Sequence, residues 1–553
     1  MTEPQNKGVR AGLAALLLIA LVLRLPNLNQ SIWFDEACMS TQRIGSLAQL
    51  LTTIHIDIHP PLYLVFAHLW NSVFGDSELS LRIPSLLAGL ASLPLAFLIA
   101  RRLCGNLTAW LTVLLLAFSP VHIWYSIEGR LYAPMLFAAL AAVELFHRIL
   151  EGRATRGTYW LYGILTAGML ALHYYLAVYV LLFALAALIA PRMKWAKSIP
   201  RAVLMINGVG LVLIAAWVGM KAVLVGFETS QGYLRAFTPI EVYRFLFQWC
   251  WTGNTLPAGL DAATGNPRWL LWSLAQLIGV ALFFLGLREL WRRRDKQPAI
   301  LLLPLYFICL PTFLLVLPLI GMGSTYIERS LLPALPFFLM IICLGLVSIR
   351  RLALRNATFL CVALLGLANL SAYYAHGDMW TVYKPHQDWR AAATYFGQEI
   401  DEGGTQRPIY TNMPNSRSLP YYDMRIQDAS NLEPSTGAIQ QAVSAFERLL
   451  GKDLGRRAGK IAAGIAQKFE EGKAQLADEA EMFIYPIGNG NLQAMKAGLR
   501  EGYKILYLMD NTWHHRRSPG HLEELLRNPR LQLIEMNDFN GLVVYKVRLK
   551  ARG

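Results

Sequence analysis

The chain has 553 residues, 55% of them hydrophobic and 16% charged, and its formal net charge is +15. Apolar surface in such quantity, gathered in long runs, exceeds what one soluble core buries, so a soluble globular enzyme is excluded and a polytopic membrane protein is indicated. Much of the excess cation sits in short loops between those runs, so we assign it to membrane topology and anionic lipid and exclude nucleic acid as the partner.

A spanning helix needs about 20 mostly apolar residues. About eleven such segments can be placed, beginning near residues 11, 84, 106, 132, 158, 175, 201, 269, 298, 330 and 356. The first follows Lys7 and Arg10 and runs on into LRLPNLNQSIWFDE with no small-residue cleavage pattern, so it is expected to be retained as a span. The apolar run from Tyr159 to Ala190 is too long for one span and is divided at His173, Tyr174 and Tyr175. Lys and Arg mark the cytoplasmic loops. They collect at Lys7 and Arg10, Arg101 and Arg102, Arg153 and Arg156, Arg192 to Lys197, Arg292 to Lys296, and Arg350 to Arg355. The alternate loops carry Asp35, Glu36, Asp57, Asp76, Glu78, Glu128, Glu228, Glu241 and Asp261 and are expected outside.

An odd number of spans with the N-terminus in the cytoplasm sends the C-terminus out of the plasma (inner) membrane. Residues 1–375 then form a transmembrane domain whose first external loop covers about 29–83, and residues 376–553 form a soluble extracytoplasmic domain. That tail reads as α/β or α+β. It offers a strand at RPIYTN, a helical region from about Ala438 to Glu471, strands at MFIYP and YKILYLM, a short helix at HLEELLRN and a hairpin around Asn540 and Gly541. The 6 cysteines show no zinc spacing, although Cys38 and Cys250 both fall outside and could pair.

The chemistry-bearing residues crowd the outer mouths of the spans. Asp35 and Glu36 follow the first span directly, behind the interfacial anchors Trp33 and Phe34. Taken alone the pair also fits a solvated helix start. Adjacent helical residues diverge by about 100°, so one of the two is expected to enter a cavity, and we assign that place to Asp35. HPPLYLVFAHLW resumes a helix after His59, SLRIPS brings Arg82 to the second mouth, WYSIEGRLYAPM brings Glu128 and Arg130 to the next, and ERSLLPALP places Glu328 and Arg329 at a later one. Any one Arg could simply snorkel, but several on one membrane face suit an anion. His55, Asp57 and His59 alternate, so an extended strand would turn all three to one side, as a divalent metal site or as a polar loop edge. His173 with Tyr174 and Tyr175 suits sugar or phosphate contact, or an interfacial aromatic belt.

SIWFDEA after a first span, followed by HPPLY, SLRIPS, YSIEGRLYA, LHYYLA, ERSLLPALP and KPHQDWRAAATYF, resembles the bacterial protein mannosyltransferase-like glycosyltransferases of the C superfamily (GT-C). Aminoarabinose transferases of lipid A and eukaryotic protein O-mannosyltransferases are relatives. The resemblance implies a GT-C membrane fold and a polyprenyl-phosphate sugar donor used on the external face. It implies Asp35 of the Asp35-Glu36 motif as catalytic base, Glu128 as a second acidic landmark, and Arg24, Arg82, Arg130 and Arg329 as donor-phosphate ligands. His59, His173 and Tyr174 are further substrate-binding candidates.

These residue types suit the reaction on independent grounds. An attacking hydroxyl or amine must lose a proton, which a positioned carboxylate accepts. A lipid-phosphate leaving group calls for Arg donors. One base and a cationic clamp suffice for an inverting single displacement, whereas a hydrolase would use two carboxylates flanking the glycosidic bond. The acceptor is a lipid, a glycan or a protein. A polysaccharide polymerase or ligase is a neighbouring reading, and a lipid or solute transporter a rival one, although a transporter would place ionisable groups deeper within its spans.

Overall fold

The computed structural model describes residues 3–40, 47, 50, 59–225, 238–253, 268–319, 326–375, 387–403, 409–411, 418–423, 425–428, 482–486, 505–511, 531–539 and 542–549. Helices dominate the first 375 residues. In chain order they are α1 (Glu3–Arg24), a single turn α2 (Phe34–Ala37), α3 (Leu62–Phe74), α4 (Glu78–Cys104), α5 (Asn106–Phe118), α6 (Pro120–Ser126), α7 (Tyr132–Leu150), α8 (Arg156–Leu172) and α9 (Ala177–Ile189). There follow α10 (Arg201–Val225), α11 (Pro239–Tyr243) leading into a π-helical stretch Arg244–Trp251, α12 (Arg268–Arg293), α13 (Leu302–Leu319), α14 (Leu335–Ser348) and α15 (Leu352–Ala375). Among the described residues, 7 helices have the length and apolarity to cross a membrane, 8 if the bent pair α5 and α6 counts as one span. The protein is a multi-pass membrane protein. Helical segments stand at all the places anticipated from the sequence, the remaining ones being α1, α8 and α9.

The breaks have local causes. Pro120 opens α6 and disfavours the helical region for Ser119, which is extended (φ −66, ψ 122), so α5 and α6 meet at 61°. At the anticipated division, His173 is fully extended (φ −157, ψ 134), and its ring Nδ1 accepts a hydrogen bond from the Tyr175 amide at 3.1 Å, starting the next helical turn. Two glycines bring α12 and α14 into backbone contact. A Cβ on Gly345 would stand 2.0 Å from the Leu282 carbonyl oxygen, and one on Gly286 2.1 Å from that of Ile341, which no larger residue tolerates.

The Arg-rich ends of the helices are also knitted together. Arg102 bridges Glu144 (2.6 Å) and Glu151 (2.5 Å), Gln297 donates to the Arg102 carbonyl, and Arg293 donates to that of Cys104.

The tail forms a six-stranded mixed sheet in the order β2-β3-β1-β4-β6-β5. Its strands are β1 (Ile409–Thr411), β2 (Ile426–Asp428), β3 (Met482–Pro486), β4 (Ile505–Asn511), β5 (Leu531–Asp538) and β6 (Leu542–Leu549). The first four are parallel, and β6 is antiparallel to both β4 and β5. Helix α16 (Trp389–Asp401) covers the sheet through Trp389, Phe396 and Ile400. Buried Glu399 ties helix to sheet by accepting from Tyr507 and Lys546, each at 2.5 Å. A short helix α17 (Ser418–Tyr422) precedes β2. The anticipated helices at 438–471 and in HLEELLRN, and the turn at Asn540 and Gly541, lie outside the described residues. The Cys38–Cys250 pairing is corrected: no disulfide joins them, and Cys250 is packed in the membrane core.

Candidate active site

The loops between spans meet around α2. After α1 ends, Leu25 to Gln30 turn through successive short-range bonds, and the Trp33 carbonyl accepts from the amides of Glu36 and Ala37 at 3.0 Å each, forming the turn that carries the two carboxylates. Their side chains part company.

Glu36 is fully buried and held in the fork of Arg82, with Nε to Oε1 at 2.8 Å and NH2 to Oε2 at 2.6 Å. Arg82 also donates to the carbonyls of Leu28 (2.9 Å), Gln30 (2.6 Å) and Ser31 (3.2 Å). All five guanidinium hydrogens are thereby committed. The Gly129 amide donates to Glu36 Oε1 at 2.7 Å, and a Cβ there would stand 3.1 Å from the Leu81 carbonyl oxygen, so the second loop is locked to the first at a position with little space for a side chain. Arg82 therefore has no guanidinium hydrogen left for a phosphate, contrary to its expected place among the phosphate ligands, and Glu36 is occupied by Arg82 and Gly129.

Asp35 takes the other direction. Its Oδ2 lies 2.8 Å from Arg329 NH2, close enough for an ion pair but outside hydrogen-bond alignment. Arg130 NH1 donates to the Asp35 carbonyl at 3.1 Å, and the Arg130 carbonyl in turn accepts from Ser85 at 2.8 Å. Arg329 stands over the faces of Tyr132 (5.3 Å) and Trp33 (5.6 Å), a cation–π arrangement. It is the second residue of the 3-10 stretch Glu328–Ala334 before α14, while its neighbour Glu328 is exposed. Among the described residues, four buried atoms of Asp35, Glu128, Arg130 and Arg329 have no hydrogen-bond partner: Asp35 Oδ2, Glu128 Oε1, Arg130 Nε and Arg329 Nε.

Charge in the cluster follows from burial. Burial pushes the Glu128 carboxyl up to about 8, with Arg329 pulling down and the carboxylates of Glu36 and Asp35 adding to the rise. Glu128 therefore holds a proton at neutral pH. Burial also opposes the charge on Arg130, but Asp35 overrides it and the guanidinium stays cationic. His59 is kept neutral by burial and then by Arg130, the His173 ring and Arg329. With Glu36 and Arg82 cancelling, Asp35 faces Arg130 and Arg329 and the cluster keeps an excess positive charge.

Glu128 also makes a stability test. A carboxyl whose pKa rises on folding contributes stability that is intact below its unfolded value near 4.5 and lost as pH climbs to about 8. Glu128→Gln removes that loss. Its melting temperature relative to the wild type should rise from pH 5 to pH 8, and a constant difference across that range would show that Glu128 ionises normally.

The other candidates are distributed around this centre. His59 and His173 meet edge to face at 5.5 Å, and the Tyr174 hydroxyl accepts from Trp217 at 3.2 Å beneath Lys221, 5.9 Å from the ring. Arg24 joins a separate network, donating to the Ala20 carbonyl and meeting His122 Nδ1, both at 2.6 Å, with Ser92 on the far side of that ring at 2.9 Å. His55 and Asp57 lie outside the described residues, and among the described residues no group of three His, Cys, Asp or Glu is placed to hold a metal. Sequence reasoning missed Gly129, Ser85, Tyr132 and Lys221. The glycine between Glu128 and Arg130 was the one available signal, since a backbone donor needs close approach.

Residues 58–219 match the model of the dolichyl-phosphate-mannose-protein mannosyltransferase family. That segment includes His59, Arg82, Glu128, Arg130, His173 and Tyr174 and leaves out Asp35 and Arg329. No curated protein matches the chain significantly. Two solved structures of ArnT from Cupriavidus metallidurans share its fold over 98% of both chains. One is bound to undecaprenyl phosphate (12% identity, TM-score 0.50) and one is in the apo state (11%, 0.52). The archaeal oligosaccharyltransferase AglB from Archaeoglobus fulgidus, in complex with an inhibitory peptide and a dolichol-phosphate, aligns over 92% of this chain and 70% of its own with 14% identity and a TM-score of 0.40. In fold the chain is similar to the two ArnT structures, and residues 58–219 are similar to the dolichyl-phosphate-mannose-protein mannosyltransferase family.

Proposed function

We propose that the protein transfers a sugar from a polyprenyl-phosphate donor to an acceptor on the extracytoplasmic face of the membrane, with Asp35 as the base. The observation that carries this is the bracketing of Asp35 by two cations, Arg130 and Arg329, whose Nε atoms are buried without partners. An anionic group entering from the bilayer would satisfy both. Arg329 would turn from Asp35 to the phosphate, leaving the carboxylate free to accept a proton. The acceptor hydroxyl or amine attacks the anomeric carbon and gives its proton to Asp35. The bond from that carbon to the phosphate oxygen breaks, and its electron pair leaves with the phosphate, stabilised by Arg130 and Arg329. Protonated Glu128 adds a hydrogen-bond donor. The anomeric carbon inverts. Arg24, in its network with His122, and Arg82, in its clamp, stand aside from this step, and His59, His173 and Tyr174 are proposed to contact sugar or acceptor.

Under this reading the Asp35 end of the bundle faces the periplasm, the Arg102 end faces the cytoplasm, and the tail after about residue 375 is the extracytoplasmic domain. The test is mass spectrometry of surface glycolipids and glycoproteins from cells with and without the gene, followed by transfer with the purified protein. Loss of one sugar modification is expected. An unchanged envelope, with no transfer in vitro, rejects the proposal. Including a chelator decides the role of His55, Asp57 and His59: transfer that stops in chelator and returns with a divalent ion assigns them a metal, and undiminished transfer leaves them to substrate contact.

A further inference from the structure

The Asp35 loop is gripped from a second side. The Tyr422 hydroxyl, at the end of α17, accepts from the Ile32 amide at 2.9 Å, lies 3.3 Å from Ser31 Oγ and 3.0 Å from Glu78 Oε1. The Arg390 amide donates to Ser31 Oγ at 3.3 Å, and its guanidinium reaches Glu78 Oε1 (Nε at 2.9 Å) and the Asn29 carbonyl (3.2 Å). Tyr421 donates to the Asp76 carbonyl. Tyr422 also packs against both hydrophobic cores, that of the membrane helices and that of the sheet domain. Residues 28–32, which run into Asp35, are therefore held by Arg82 from the membrane side and by Tyr422 and Arg390 from the sheet domain.

We infer that Tyr422 is a positioning residue: docking of the sheet domain, through this hydroxyl and Arg390, sets the geometry of the strand that aims Asp35. Residues 31–33, between the turn after α1 and the single turn α2, have no regular structure of their own to hold them, and a base loses efficiency steeply once it moves by about 1 Å. Arg82 fixes carbonyls only. The Ile32 amide is fixed by Tyr422. The inference rests on Asp35 being the base, and the test separates the two.

Tyr422→Phe keeps the ring in both cores and removes only the hydroxyl. In the full-length protein reconstituted in bilayer discs, hydrogen exchange of the peptide containing Ile32 should speed up by about fivefold or more, while exchange in α16 and the sheet stays unchanged. The turnover number should fall by about tenfold or more, with the dissociation constant for polyprenyl phosphate unchanged, because the phosphate ligands belong to other loops. Arg390→Lys, which retains charge toward Glu78 but loses the two-atom grip, should show a smaller change in both. Unchanged exchange at Ile32 in Tyr422→Phe overturns the clamp, and so does faster exchange with a normal turnover number when Asp35→Asn is inactive. If Asp35→Asn is fully active, the base assignment fails by itself, and exchange at Ile32 still decides whether the clamp holds the loop.

Discussion

Asp35→Asn should slow sugar transfer by about 10² to 10⁴-fold while donor affinity is retained or improves. The substitution keeps the shape of the side chain and removes its capacity to take a proton. It also frees Arg329, whose ion pair with Asp35 at 2.8 Å competes with any incoming phosphate. Transfer rate and polyprenyl-phosphate affinity measured on the same preparations separate the two effects. Glu128→Gln should cost far less, because a carboxyl already protonated at neutral pH loses little as a hydrogen-bonding amide. The reverse pattern, normal turnover in Asp35→Asn and an inactive Glu128→Gln, would move the base to the second loop.

A second large effect is expected at Arg82 and Glu36, and it is one of folding. Removing one partner of a fully buried pair leaves the other charge uncompensated, at a cost of about 3–5 kcal/mol. Arg82→Ala additionally strands the carbonyls of Leu28, Gln30 and Ser31. Both Glu36→Gln and Arg82→Ala should yield protein that melts well below the wild type or fails to leave the translocation machinery folded. Thermal unfolding and size-exclusion profiles in detergent are the measurement. A folded Arg82→Ala with a normal melting temperature and lost donor affinity would restore Arg82 as a phosphate ligand.

What the sequence made legible was set by period and polarity. Spans are long apolar runs, and even the division at His173 was visible because three polar or amphipathic residues interrupt one. The sheet strands MFIYP and YKILYLM read as strands from their β-branched and aromatic content, whereas β2, three residues long, left no periodic trace. At the site, the divergence of Asp35 and Glu36 followed from helical geometry. The partner of each carboxylate did not. Arg82, Arg130 and Arg329 look alike as isolated cations at span mouths. Only contacts across 46 residues for Arg82 and Glu36 show that this cation is structural. Nothing local to LVLRLPN reveals His122 against the guanidinium of Arg24 either.

The interlock of Glu36, Arg82 and Gly129 bears on how such chains can drift over time. Three positions on separate loops satisfy one another through a fork of two hydrogen bonds and a backbone amide, with little room for a β-carbon at Gly129. No one of them can be exchanged gradually, because each intermediate buries an unmatched charge or forces the loops apart. Descendants of this chain are expected to inherit the trio unaltered, while Glu328, exposed beside Arg329, is free to vary.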